Sequence, residues 1–366
     1  MLYLFLTKLI PVFPGFNIFT YISFRAALAA MTSLGVSILL GPWVINKLKA
    51  LKIGQQIRKE HVDDLHEIHQ YKAGTPTMGG VLIICSVAVA TLLWADLTNR
   101  LVVLALVCTL WLGAVGFLDD FIKMKKQRSL GLTVKLKLVA QVLFGVALGV
   151  YLCLRPVSME HGTDVALLFF KDVHIALGWF YVVFVVLVIV GTSNAVNLTD
   201  GLDGLAIGSV IMAVLAYTGM AYLVGRSDFA QYLFITYVAG AGELTIFCTA
   251  IAGAGLGFLW YNAHPADIFM GDTGALALGG ALGTVAILIK QELLLVVVGG
   301  LFVLEAMSVI IQVLSFKLRG GKRVFKMAPL HHHFELCGWS ETKVTIRFWI
   351  IAAIFALLSL STLKVR

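Results

Sequence analysis

Apolar runs of about 20 residues recur along the whole of this 366-residue chain, and that recurrence limits its fold more than any other feature. About 20 apolar residues in a helix cross the hydrocarbon core of a bilayer, where every backbone N–H and C=O must find a partner inside the protein. Ten runs qualify: Phe19–Leu40, Met78–Trp94, Leu101–Leu118, Thr133–Leu154, His174–Gly191, Leu205–Val224, Gly240–Trp260, Gly274–Ile289, Leu293–Phe316 and Val344–Leu363. Charged residues make up 13% of the chain, about half the usual share in a soluble protein. The fold class is therefore an all-α polytopic integral membrane protein. A single transmembrane domain over residues 1–366 is expected, because no polar stretch between the runs is long enough for a second domain. The segment Met1–Phe16 lacks a basic leader and reads as an interfacial segment or short hairpin. None of the five cysteines forms a C-x-x-C pair, and four lie in or beside apolar runs, so no disulfide framework is implied.

The net charge of +8 belongs to topology, not to a nucleic-acid footprint. Numbering the connections in order, the odd ones hold sixteen basic residues, in the clusters Lys47 to Lys72, Lys123 to Arg128 and Lys317 to Lys343. The even connections and both termini together hold eight. The positive-inside rule then puts the odd connections in the cytoplasm and both termini in the periplasm. Asp119-Asp120, the stretch Asn197 to Gly204, the stretch Met270 to Gly274 and Pro329 to His333 all fall in odd connections. Charge counting that ignored these motifs delivers all four to one face, so the active site is expected on the cytoplasmic side.

Asp119, Asp120, Asp200, Asp203 and Asp272 would bring five carboxylates to that face. So many like charges stay partly protonated unless a cation intervenes. An all-oxygen set suits a hard divalent ion, and magnesium takes one or two carboxylates together with substrate phosphates. The set therefore reads as a magnesium site acting on a phosphate or diphosphate. One of Asp200 and Asp203 is expected to cap the following helix, and Asp272 before Gly274 fits a cap as well, but capping does not need five acids. Lys72 lies in a shaped Gly-Thr-Pro-Thr turn, where its amine can pair with a phosphate. Adjacent side chains do not converge easily on one ion, so His331, His332 and His333 read as donors to phosphate or sugar before zinc ligands. His264 reads as structural. Arg25 and Glu305 sit in or near spans with no partner visible in the sequence, and both read as structural. The run Gly253-Ala254-Gly255-Leu256-Gly257 lies inside an apolar span, where small residues pack helices. There is no Walker-type phosphate loop.

Asp119-Asp120, Asn197-Leu198-Thr199-Asp200-Gly201-Leu202-Asp203-Gly204, Phe269-Met270-Gly271-Asp272 and Ala328-Pro329-Leu330-His331-His332-His333-Phe334-Glu335 together resemble the polyprenyl-phosphate N-acetylhexosamine-1-phosphate transferases. The triple-histidine loop is similar to that of the phospho-N-acetylmuramoyl-pentapeptide branch, and the likeness runs from about Phe16 to Arg366. The resemblance implies transfer of phospho-MurNAc-pentapeptide from UDP-MurNAc-pentapeptide to undecaprenyl phosphate, with magnesium, giving lipid I and UMP. It implies Asp272 and Asp200 as magnesium ligands. Asp119 becomes base or positioning group for the acceptor phosphate, supported by Asp120, and His331 joins the catalytic groups. Asn197 and Asp200 match positions near the donor phosphates, and Asp203 and Phe269 match the uridine pocket. Lys72, Asn262, His332 and His333 would contact phosphates or the sugar-peptide. Direct attack by the lipid phosphate and a covalent aspartyl intermediate both stay open. The implied location is the bacterial cytoplasmic (inner) membrane, and a homodimer is allowed. The alternatives are a branch using UDP-N-acetylglucosamine and an ion-coupled transporter built around Glu305.

Overall fold

The computed structural model describes residues 1–51, 74–126, 131–167, 170 and 173–364. A short helix α1 (Leu2–Lys8) and a 3-10 turn (Pro14–Thr20) come first, and then α2 (Ile22–Ala50), α3 (Gly80–Trp94), α4 (Arg100–Lys126) and α5 (Val134–Leu154). A two-stranded antiparallel hairpin, β1 (Asp164–Ala166) and β2 (His174–Ala176), leads to α6 (Phe180–Thr199), α7 (Leu205–Val224), α8 (Ser227–Leu233) and α9 (Glu243–Asn262). The chain ends with α10 (Gly271–Leu288), α11 (Leu295–Val298), α12 (Gly300–Leu318), α13 (Leu330–Glu335) and α14 (Glu341–Thr362). Among the described residues, nine helices are long and apolar enough to cross a membrane. The tenth expected span is α3, whose 15 residues rise only about 22 Å.

The bundle is built around α10, which is buried on every side from Thr273 to Leu288. In a bilayer, helices associate through close packing, and small residues let backbones approach. The glycines and alanines of α10 serve that end. At its start, a Cβ on Gly80 of α3 would collide with the backbone of Gly274, so the two helices meet glycine to glycine. Helix α10 lies against α4 and α6, while α9 lies against α2 and α7.

Several boundaries differ from the sequence reading, and at two of them, Leu40 and Gly191, the freed or inserted polar groups find partners. Helix α2 runs through Pro42 to Ala50 instead of stopping at Leu40. Proline cannot donate to the carbonyl four residues back, and the Tyr261 hydroxyl donates to that Ile38 oxygen instead, at 2.7 Å. Helix α6 begins at Phe180, not His174, and passes Gly191 to end at Thr199. Its polar stretch bonds to its own preceding turn: Thr192 to Val188 at 2.8 Å, Ser193 to Ile189 at 2.7 Å and Asn194 to Val190 at 2.8 Å. The run Leu293–Phe316 breaks at Gly299 into α11 and α12.

Arg25, unpaired in the sequence reading, makes a bidentate contact with Glu243 of α9 at 2.8 and 2.6 Å. The Tyr3 ring lies 3.9 Å from its guanidinium carbon. Both terminal nitrogens of the buried guanidinium are paired, since Nη1 also donates to the Trp94 oxygen at 3.2 Å, and a buried charge is held by such partners.

Candidate active site

Helix α4 continues past its apolar segment, so Asp119 and Asp120 lie in its last turns instead of in a loop. Neighbouring helical residues diverge by about 100°, and the two carboxylates face different partners. Lys123 is one turn on from both and reaches between them, 2.6 Å from Asp119 Oδ2 and 3.6 Å from Asp120 Oδ1. It also lies 2.8 Å from Asp272 Oδ2. Lys137, in the first turn of α5, approaches 2.5 Å from Asp272 Oδ2 and 3.5 Å from Asp119 Oδ2. Two ammonium groups thus sit between the carboxylates of Asp119 and Asp272.

Asp120 has a different task. Its Oδ2 accepts from the Thr273 N–H at 2.9 Å and from the Thr273 hydroxyl at 2.8 Å, and its Oδ1 accepts from Asp272 N–H at 3.4 Å. Helix α10 has no side-chain cap at its own N-cap position, Met270. A carboxylate from α4 therefore caps α10, where unpaired N–H groups and the positive dipole end favour an anion. The alternative in which Asp272 is the cap is thereby replaced by a cap from Asp120. Gly271 turns into the helix at φ 71°, and a Cβ there would lie 2.7 Å from Asp120 Oδ2. Asp119 Oδ1 accepts from Leu132 N–H at 2.8 Å, which ties the chain entering α5 to the same site.

Asp203 belongs to a second group. Its Oδ2 accepts from Ala266 N–H at 3.1 Å and lies 3.1 Å from His264 Nδ1. Glu341 Oε2 is 3.7 Å from that same nitrogen. The N-cap of α7 is Gly204 at φ 72°, which has no side chain to cap with. The Asp203 carboxylate is turned to the chain after α9. Asn262 joins the two stretches: its oxygen accepts from Gly204 N–H at 3.1 Å and its amide donates to the Ile268 oxygen at 2.8 Å.

The remaining candidates fall around these two groups. The Phe269 backbone is pinned beside the start of α3, its N–H donating to Pro76 and its oxygen accepting from Gly79, both at 2.8 Å. Asn197 lies in the last turn of α6, and Asp200 follows that helix, half-buried and outside both carboxylate groups. The histidines form α13 and part ways there. His331 is buried against Gly201 and its Nδ1 stands 3.2 Å from Glu305 Oε2, a neighbour that the sequence position of Glu305 hid, although the two groups are not aligned for a hydrogen bond. His332 meets Glu335 at 2.8 Å, and His333 accepts from Lys326 N–H at 3.1 Å. Among the described residues, no metal-ligating group contains the triplet. Lys72 lies outside the described residues.

Carboxylate oxygens of Asp119, Asp120 and Asp272 all lie within 4.8 Å of one another. Oxygens sharing one magnesium at about 2.1 Å stand roughly 3 to 4 Å apart, so the trio fits a hard dication after small side-chain adjustments. Because Asp120 is committed to the α10 backbone, Asp119 and Asp272 are the pair that offers oxygens to it. Sequence reasoning counted Lys123 only as a basic loop residue, set His264 aside as structural, and passed over Lys137 and Glu341. A lysine inside an expected span was the one available signal. Glu341 and His264 carry none, since their neighbours are 138 and 61 residues away in the chain.

Residues 102–290 match the model of glycosyl transferase family 4, and residues 72–84 match signature 1 of the phospho-N-acetylmuramoyl-pentapeptide-transferases. Curated proteins named phospho-N-acetylmuramoyl-pentapeptide-transferase are similar over nearly all or all of both chains. One from Desulforapulum autotrophicum is 54% identical over 96% of each chain. Another from Syntrophus aciditrophicus is 54% identical over 100% of each, and one from Desulfatibacillum aliphaticivorans is 55% identical over the same share.

Proposed function

The chain belongs to glycosyl transferase family 4 and to its phospho-N-acetylmuramoyl-pentapeptide-transferases, and from that premise we propose its reaction. Phospho-MurNAc-pentapeptide passes from UDP-MurNAc-pentapeptide to undecaprenyl phosphate, giving lipid I and UMP. The observation that carries this reading is the meeting of Asp119 and Asp272, from helices α4 and α10, with Lys123 and Lys137 between them. A lipid acceptor accounts for a polar nucleotide reaction run at the end of a membrane bundle.

In the proposed step an oxygen of the lipid phosphate attacks the phosphorus bearing the sugar. A new P–O–P linkage forms, the bond to the UMP oxygen breaks, and UMP leaves with that electron pair. Asp119, anchored through one oxygen by Leu132 N–H, fixes the approach of the acceptor phosphate. Lys123 and Lys137 offset the charge of two phosphates brought together. Magnesium, held by Asp272 and Asp119, would neutralise the diphosphate and polarise its phosphoryl oxygens. Asp120 holds the start of α10, and so Asp272, in place. The stretch Asn197 to Asp203 and Phe269 would take the nucleotide-sugar. With the basic connections cytoplasmic, this site faces the cytoplasm from the bacterial inner membrane.

The test is purified protein in detergent with UDP-MurNAc-pentapeptide, undecaprenyl phosphate and magnesium, following UMP. Turnover is expected, lost on chelation and restored by magnesium. Turnover with UDP-N-acetylglucosamine in place of the pentapeptide donor would overturn the substrate assignment. UMP release without lipid, together with a trapped aspartyl adduct, would replace direct attack by a two-step route.

A further inference from the structure

We propose that the last helix, α14, is a positioning element for the loop between α6 and α7. Glu341, Thr345 and Trp349 would set the donor affinity of that loop without touching the reacting atoms. The proposal rests on reading the loop as the nucleotide-sugar site.

The three residues follow one another at intervals of four, which advances only about 40° each time around a helix. They form one stripe, and each holds the same short piece of backbone. Glu341 Oε1 accepts from Asp203 N–H at 2.8 Å. The Thr345 hydroxyl donates to the Asp203 oxygen at 3.3 Å. The Trp349 indole N–H donates to the Gly204 oxygen at 3.1 Å. With Asn262 accepting from Gly204 N–H, all four polar backbone groups of Asp203 and Gly204 are bonded to side chains of α14 or α9.

Two further features make the stripe a device. The start of α7 supplies no side-chain cap of its own and turns on Gly204 at φ 72°, so its conformation depends on these outside partners. Gly208, one turn later, makes the room: a Cβ there would collide with the Trp349 indole nitrogen. Glu341 and Thr345 are buried. Asp203, aimed by this stripe, carries its carboxylate to His264 and Ala266 beyond α9. A helix more than 130 residues downstream thus decides where the loop's side chains point.

The test uses the full-length protein in detergent with Thr345→Val, Trp349→Phe and Glu341→Ala, each of which removes one of the three bonds to the Asp203-Gly204 backbone, and Glu341→Gln, which retains an accepting oxygen while losing the charge near His264. A bond of this kind corresponds to roughly three- to tenfold in an equilibrium constant. The expected result is a donor KM raised by about that factor in the first three variants, with the KM for undecaprenyl phosphate within about twofold of wild type. Glu341→Gln should restore most of the donor affinity. Amide hydrogen exchange over residues 197–206 should quicken in the same three variants. Unchanged exchange in that segment would overturn the clamp. So would a fall in kcat with both KM values moved alike, since that marks general damage to the fold. Exchange is read without substrate, and wild-type turnover is measured separately. Failure of the clamp is therefore distinguishable from failure of the donor assignment.

Discussion

Replacing Asp120 by Asn removes a charge while hardly changing volume, and so isolates the claim that a carboxylate of α4 holds the start of α10. Three bonds are at stake, two from Thr273 at 2.9 and 2.8 Å and a longer one from Asp272 N–H at 3.4 Å. A hydrogen bond to a charged group contributes about 1.5–3 kcal/mol, and an anion at a helix N-terminus adds about 0.3–1 kcal/mol. Asparagine keeps one accepting oxygen but turns an NH2 group toward N–H donors. The net loss is then about 2–4 kcal/mol. If it appears as misplacement of Asp272, turnover falls roughly 30- to 700-fold, at 1.4 kcal/mol for each factor of ten. UMP release and thermal unfolding in detergent read the two parts of the effect. Thr273→Val, which removes only the hydroxyl bond, completes a double-mutant cycle with an expected coupling of about 1 kcal/mol or more. Effects additive to within about 0.5 kcal/mol, or Asp120→Asn working at wild-type rate, would refute the cap.

Asp272→Asn should nearly abolish turnover while leaving the protein folded, because Lys123 and Lys137 are 34% and 18% exposed and can rehydrate; full activity would remove Asp272 from the proposed metal site. Lys137→Met should lower kcat and also lower the magnesium concentration for half-maximal activity, since the ammonium and the dication share carboxylate oxygens. An unchanged magnesium profile would show that they do not. Gly80→Ala should destabilise the protein by about 1–3 kcal/mol, because backbone stands where the methyl would go, and a wild-type melting temperature would contradict that contact.

The spans were legible in the sequence because a bilayer imposes length and apolarity locally, residue by residue. Of the ends that the sequence reading misplaced, Leu40 turned on a partner outside the run, whereas past Gly191 the polar side chains bond back to the helix's own preceding turn. Pro42 continues a helix because Tyr261, more than 200 residues away, takes the carbonyl that proline leaves unbonded. The candidate acids were legible as a set, since charge counting places the motifs that carry these five of the chain's twelve aspartates on one face. Their division was not. Asp119, Asp120 and Asp272 meet, whereas Asp203 turns to His264 and Glu341.

By itself, then, the sequence determined an all-helical membrane protein and the acidic residue types that serve a phosphate reaction, because hydropathy and charge are written one residue at a time. Which carboxylate caps a helix, which faces a lysine and which helix holds the loop before α7 were decided only by the tertiary structure. Those roles depend on directions and separations of a few ångströms between segments far apart in the chain. Close packing around the glycine-rich α10 sets those separations.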